Sequence, residues 1–213
     1  MIAGLETNPK RWIRLASVDS TNSYAMREHL PGTSVVLADA QSAGRGRMGR
    51  SWQASPGSVI FTGVLEFDSS DVPDERLALF AILSGVAVLR AAQAAAPGDY
   101  RIKEPNDVLV LRDRPGKIAG VLVESEITAN LRRVFIGIGV NLTGAPPPLD
   151  SLYPPAALFA EAGVQLRPGA GDFAREPAAF AARLVLEINA RLDQMATPPQ
   201  PAFLGEALEY KMP

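Results

Sequence analysis

The chain has no cysteine and a single histidine. The first absence excludes disulfides, thiolate nucleophiles and cysteine-ligated metals. The second excludes a multi-histidine metal centre. His29 itself lies in Arg27-Glu28-His29-Leu30-Pro31, a helix end before a proline, where a solvated or capping role is expected rather than a catalytic one. Neither sign of charge is in excess: 21 Lys and Arg face 23 Asp and Glu, a net charge of −2. The molecule as a whole therefore attracts neither nucleic acid nor an anionic membrane, and any basic site has to be local. Met1 to Arg14 lacks the apolar run of a signal peptide. No stretch approaches the roughly 20 uninterrupted apolar residues of a membrane span. A cytoplasmic protein without DNA or membrane partners is the expectation. What is present is ordinary: 213 residues, 47% hydrophobic and 21% charged, suit one sizeable globular core.

Ser20-Thr21-Asn22 offers N-cap side chains ahead of a short helix over Tyr24 to Leu30, closed by Pro31-Gly32. Ser34 to Ala38 and Ser58 to Phe67 read as strands on either side of a glycine-arginine loop. Glu75 to Ala96 is apolar on a broad face and predicts a buried helix. Three strand-like runs follow: Arg101 to Leu111, interrupted at Pro105-Asn106-Asp107, then Lys117 to Ser125, then Arg133 to Leu142. The short, turn-rich link Arg112 to Gly116 predicts that the first two pair as an antiparallel hairpin. Pro146 to Pro155 is a proline-rich loop, Phe173 to Met195 has helical spacing, and Pro198 to Pro201 precedes a short terminal helix. Helices flanking a mostly antiparallel, mixed sheet make an α+β fold, with no internal repeat and no second domain in view.

Gly44-Arg45-Gly46-Arg47-Met48-Gly49-Arg50 matches the G-x-G-x-x-G pattern. A dinucleotide reading requires the loop to open a helix, so that phosphates sit on its N-terminus. Here Arg50-Ser51-Trp52 and Pro56-Gly57 lead into a strand instead. An RGG-type RNA segment would be longer, repetitive and set in low-complexity sequence. A solvated surface loop is the plain alternative. Glycines let the backbone approach a ligand closely, and arginines supply forked donors for phosphate or carboxylate. The composition therefore suits a grip on an anionic, phosphate-containing ligand, ordered when that ligand arrives.

Further segments stand in a fixed order around this loop: Ser20-Thr21-Asn22, Gln41, Lys103-Glu104-Pro105-Asn106-Asp107, Lys117-Ile118-Ala119-Gly120-Val121-Leu122-Val123-Glu124 and Gly137-Ile138-Gly139-Val140-Asn141-Leu142. Singly, each reads as a cap, a turn or a strand. Together, from about Trp12 to Leu142, they resemble the catalytic domain of biotin–protein ligases. That resemblance implies a class II aminoacyl-tRNA-synthetase/biotin-ligase-like fold and a two-step reaction. Biotin and ATP give biotinyl-5′-AMP and pyrophosphate; biotin then passes to one lysine of a biotin carboxyl carrier protein. It also implies Mg²⁺ carried with ATP, and a homodimer is compatible with it.

By the same resemblance, Ser20, Thr21, Asn22, Gln41, Gly44, Arg45, Gly46, Lys117 and Gly120 would bind biotin. Arg47, Arg50, Trp52, Asn106 and Asn141 would bind ATP. Arg47, Lys117 and Asp107 would be catalytic: the two cations screen the repulsion between carboxylate and α-phosphate, and Asp107 serves the incoming amine. The chain departs from the family's pattern at Glu104, where an aromatic is usual, and at Leu142-Thr143, where an asparagine pair is frequent. An acid at 104 either points away from the site, or weakens ATP binding or alters carrier docking. Nothing ahead of Trp12 resembles a helix-turn-helix, and Lys211-Met212-Pro213 falls where many relatives begin a small β-barrel. One catalytic domain over residues 1–213 is thus expected, with that barrel absent or truncated. A lipoate–protein ligase-like enzyme and a non-catalytic biotin- or carrier-binding homologue are the alternatives.

Overall fold

The computed structural model describes residues 3–147, 152–159 and 176–192. Within them run seven strands: β1 (Ile13–Leu15), β2 (Val35–Ala38), β3 (Val59–Asp68), β4 (Asp99–Lys103), β5 (Asp107–Leu111), β6 (Gly116–Thr128) and β7 (Leu131–Val140). The helices are α1 (Thr21–Arg27), α2 (Leu77–Ala95) and α3 (Pro177–Asn189). The strands form one sheet in the order β1-β2-β3-β7-β6-β5-β4, and only β1–β2 is parallel. This is the mostly antiparallel, mixed α+β architecture expected from the sequence.

Alternation along the central strands sends two different sets of side chains to the two faces. Val59, Phe61 and Leu65 of β3 join Val134, Ile136, Ile138 and Val140 of β7 in the main core, which α2 and α3 complete. Phe67 and Phe80 fasten α2 to the sheet edge-to-face, with ring centroids 5.6 Å apart. The opposite face carries Val36, Val64 and Phe135, which pack with Ala25 of α1 in a second, smaller cluster. Beyond that cluster this face presents Gly137, Gly139 and Gly120, and there the cavity lies. Segment 74–95 is long and apolar enough to cross a membrane by composition alone, which the sequence reading did not anticipate. Its α2 portion is a core helix, with Phe80, Leu83, Val86 and Leu89 fully buried.

Three expectations shift. The first helix begins and ends three residues early, because Ser20 itself is the N-cap and accepts a hydrogen bond from the Ser23 amide. It stops in a Schellman closure: His29 takes a left-handed φ of 49°, and the His29 and Leu30 amides donate to Met26 and Ala25. His29 is exposed, as expected. The run Arg101 to Leu111 is two strands, not one. Its interruption is the turn of the β4–β5 hairpin, which sets Lys103 opposite Asp107. The third helix spans Pro177–Asn189; residues 173–175 and 193–195 of the expected helix, and the terminal helix beyond Pro201, lie outside the described residues.

Candidate active site

A cavity of about 480 Å³ opens on the glycine-bearing face of the sheet. Its floor follows from register, since Gly120 pairs with Gly139 and Leu122 with Gly137. Side chains there would fill the space: a Cβ on Gly137 would lie 2.5 Å from Asn22 Oδ1, and one on Gly139 only 2.3 Å from the Trp52 indole. Gly137→Ala should therefore retain the fold but push Asn22 out of place. We expect ligand affinity to fall about tenfold or more, from overpacking of about 1–3 kcal/mol. Titration calorimetry beside a thermal unfolding curve checks this.

The spacing Lys117-x-x-Gly120 would place its two ends on opposite faces of a regular strand. A bulge prevents that. Val108 pairs with Ala119 but Leu109 pairs with Lys117, so β6 carries Ile118 as an extra residue. Ile118 and Ala119 both enter the core, and Lys117 and Gly120 both line the cavity.

One end of the cavity is buried and lined by neutral polar side chains. Ser20, Thr21, Asn22 and Thr62 are each under 5% exposed. Gln41 Oε1 accepts from the Thr21 amide at 2.7 Å and lies 3.2 Å from its hydroxyl. The Thr62 hydroxyl is 2.6 Å from Asn22 Oδ1 and 2.8 Å from Thr21 Oγ1. Its one proton can satisfy only one of them. Outside this group, Arg27 pairs with Asp19 at 3.0 Å and holds the Asp19 carboxyl below its usual range.

The other end is cationic. Arg47 and Arg50 are exposed on the loop. Arg47 Nη1 reaches Asn106 Oδ1 at 3.5 Å. Asn106 is held at both ends of its own residue, by Nδ2 to the Val121 carbonyl and by its carbonyl from the Val121 amide, each at 2.9 Å. Lys117 Nζ lies 2.7 Å from Asp107 Oδ1, with Lys103 Nζ 3.9 Å from the second carboxylate oxygen. Lys117 also sits 5.4 Å from the centroid of the Trp52 ring. Asn141, which also lines the cavity, donates from Nδ2 to the Lys117 carbonyl at 3.3 Å. Its Oδ1 and the Trp52 Nε1 are buried without a partner. An orphaned buried acceptor is costly, about 1–3 kcal/mol, and marks a place where a ligand donor is wanted.

The loop between β2 and β3 folds as a small hairpin. Arg45 bridges Ser51, the Trp52 amide donates to Gly44 and the Gly46 amide to Arg50. Met48 (φ 56°) and Gly49 (φ 73°) form its tip, and Met48 is 90% exposed. This strand-to-strand setting is the one expected from the sequence. The structure thus gathers Ser20, Thr21, Asn22, Gln41, Arg45, Gly46, Arg47, Arg50, Trp52, Asn106, Asp107, Lys117, Gly120 and Asn141 around one cavity. Gly44 alone among the expected residues does not line it. Gly44 is buried at the loop's base, where a Cβ would meet the Trp52 carbonyl at 2.4 Å. Glu104 is exposed and does not line the cavity either. Lys103, Gly137, Gly139 and Tyr153 line it and were not foreseen. The glycines lay inside a quoted motif, but their shared face shows only once the strand register is known.

Residues 15–141 match the model of the biotin/lipoate A/B protein ligase family. The chain belongs to that family. A biotin–[acetyl-CoA-carboxylase] ligase of Paracoccus denitrificans is 41% identical over 140 residues, covering 62% of this chain and 55% of that protein. The Mycobacterium tuberculosis protein of the same name is 34% identical over 187 residues, covering 84% and 63%. The chain therefore spans less than two thirds of the length of each. Among solved structures, biotin protein ligase of Leishmania major with biotinyl-5-AMP superposes with a TM-score of 0.70 at 23% identity, covering 96% of this chain and 83% of that one. The Aquifex aeolicus ligase with biotin and ATP gives 0.70 at 20% identity, covering 95% and 79%. These superpositions place the family member in the biotin protein ligase fold.

Proposed function

We propose that this family member is a biotin–protein ligase catalytic domain. It joins biotin to AMP at the expense of ATP, releasing pyrophosphate, and transfers biotin to one lysine of a biotin carboxyl carrier protein. The observation that carries this reading is the polarity of the cavity: a buried end lined by neutral hydrogen-bonding side chains, a cationic end, and an orphaned amide oxygen on the lining residue Asn141. A ureido head group has N–H donors and a carbonyl acceptor for Ser20, Thr21, Asn22 and Gln41. The dithiolane of lipoate has neither and would leave those groups unpaired, a difference that rejects the wrong ligand strongly. The Asn141 oxygen asks for a donor, which the adenine amino group supplies and the guanine carbonyl does not.

In the first step a carboxylate oxygen attacks the α-phosphorus and the bond to pyrophosphate breaks. Arg47 and Lys117 screen the repulsion between the two anions, with Arg50 and Asn106 on the phosphate side and Trp52 packed beside the nucleotide. Among the described residues no three acidic or histidine side chains gather into a metal-binding group. Asn106, the neutral donor at hand, would suit a Mg²⁺ ion held chiefly by the triphosphate, which would add charge neutralisation there. In the second step the carrier's lysine amine attacks the acyl carbonyl, AMP leaves, and Asp107 takes the amine proton. Closed over the mixed anhydride, the loop excludes water.

The deciding assay follows biotin- and ATP-dependent labelling of a purified carrier domain. No labelling despite tight biotin binding would leave a binding protein and end the ligase reading. Arg47→Gly should loosen the loop's hold, so that adenylate escapes and labels bystander lysines. Mass spectrometry of an added bystander protein reads this, and unchanged release would refute the clamp.

A further inference from the structure

Glu124 lies outside every role assigned so far, yet it meets both halves of the site. Its carboxylate takes two hydrogen bonds from the Arg45 guanidinium, at 2.8 and 2.6 Å, which pin the glycine-arginine loop to β6. The same Oε2 accepts from Asn22 Nδ2 at 2.9 Å. A forked guanidinium–carboxylate contact fixes orientation as well as distance. The Glu124 side chain is 24% exposed and that of Arg45 40%, so the contact rests on its forked geometry more than on bare charge attraction.

The Asn22 contact has a second consequence. Asn22 spends both amide protons, on Glu124 and on the Leu122 carbonyl at 3.3 Å. Its Oδ1 then faces the Thr62 hydroxyl and the cavity, with one lone pair left for a ligand N–H. A flipped amide would set that oxygen against the Glu124 carboxylate. The carboxylate therefore dictates which way the head-group acceptor points.

We propose that Glu124 is a positioning residue that couples closure of the loop to recognition of the ligand's polar head group, a coupling that rests on the biotin reading of the cavity. Opening the loop removes Arg45 from Glu124 and loosens the constraint on Asn22. By linkage, a head group held on Asn22 favours the closed loop to the same degree.

The test uses Glu124→Gln, Arg45→Gln and the double variant, in the full chain. Trypsin cleavage after Arg47 and Arg50, read by mass spectrometry without ligand, reports loop opening independently of any function. Calorimetry reports biotin affinity. Cleavage should rise about tenfold in both single variants. Affinity should fall about tenfold in Arg45→Gln and about a hundredfold in Glu124→Gln, which also frees Asn22, and the double variant should match Glu124→Gln because the two act as one unit. Glu124→Asp, which keeps the charge, should recover part of both effects, and it decides the matter if Glu124→Gln does not unfold cooperatively. Cleavage within about twofold of native in a folded Glu124→Gln overturns the latch. Faster cleavage with native biotin affinity overturns the coupling. If the native chain itself binds no biotin, the ligand reading fails, and the cleavage rates still decide whether Glu124 holds the loop.

Discussion

Lys117→Ala is expected to slow biotin-dependent ATP–pyrophosphate exchange by two to three orders of magnitude, roughly the effect of deleting a preorganised donor to developing charge. Here the loss is compounded. Lys117 is the nearest cation to Asp107, at 2.7 Å, whereas Lys103 stands 3.9 Å away. Without Lys117, the approaching carboxylate and phosphate meet a carboxylate that is less neutralised. The rate constant should fall more than the Michaelis constants rise, because the repulsion is greatest as the two anions meet. Fold should be spared. The backbone of Lys117 donates to the Pro154 carbonyl and accepts from the Ala156 amide, contacts that alanine keeps. A second substitution sharpens the test: Lys117→Ala with Asp107→Asn should regain part of the lost exchange, since it removes the uncompensated charge. Native exchange rates in Lys117→Ala, with a normal unfolding curve, would refute the assigned role.

The site was legible in sequence where its chemistry is written in residue type, and illegible where it depends on register. Arg47, Lys117, Asp107 and Asn141 could be singled out because charged and amide side chains beside strands need a reason. Thr62 could not. It is one hydroxyl in a largely apolar strand, and only the packing of α1 against β3 and β7 sets it beside Asn22. Glu124 stood inside a recognised motif, but a carboxylate near the end of a half-exposed strand reads as solvated until its partners from α1 and the loop are seen. The bulge at Ile118 has no local signature, although it alone lets Lys117 and Gly120 face the same way. Strand β1 escaped because three residues, Ile13–Leu15, are too few for their apolar-charged-apolar alternation to count as a signal. The β4–β5 hairpin was read as one interrupted strand because Pro105-Asn106-Asp107 marks a turn without saying that the chain reverses there.

Asp107→Asn should separate the two half-reactions. Asparagine matches the carboxylate in shape and cannot accept the amine proton. Adenylate formation should stay near native, because neutralising position 107 removes a negative charge from beside the reacting anions. Transfer to the carrier lysine should fall by about two to four orders of magnitude, the usual range for a positioned general base. The variant should therefore release one equivalent of pyrophosphate rapidly and then stall with adenylate bound. The pH profile distinguishes lost proton transfer from lost geometry. A free lysine amine titrates near pH 10.4, so raising pH from about 7.5 to 9.5 increases its neutral fraction nearly a hundredfold. Transfer by Asp107→Asn should climb with that fraction, since solvent does what the carboxylate no longer does, and the native enzyme should climb less. Quenched-flow measurement of both steps across this range is decisive. Equal losses in the two half-reactions, with no recovery at high pH, would make Asp107 a partner that merely holds Lys117 in place.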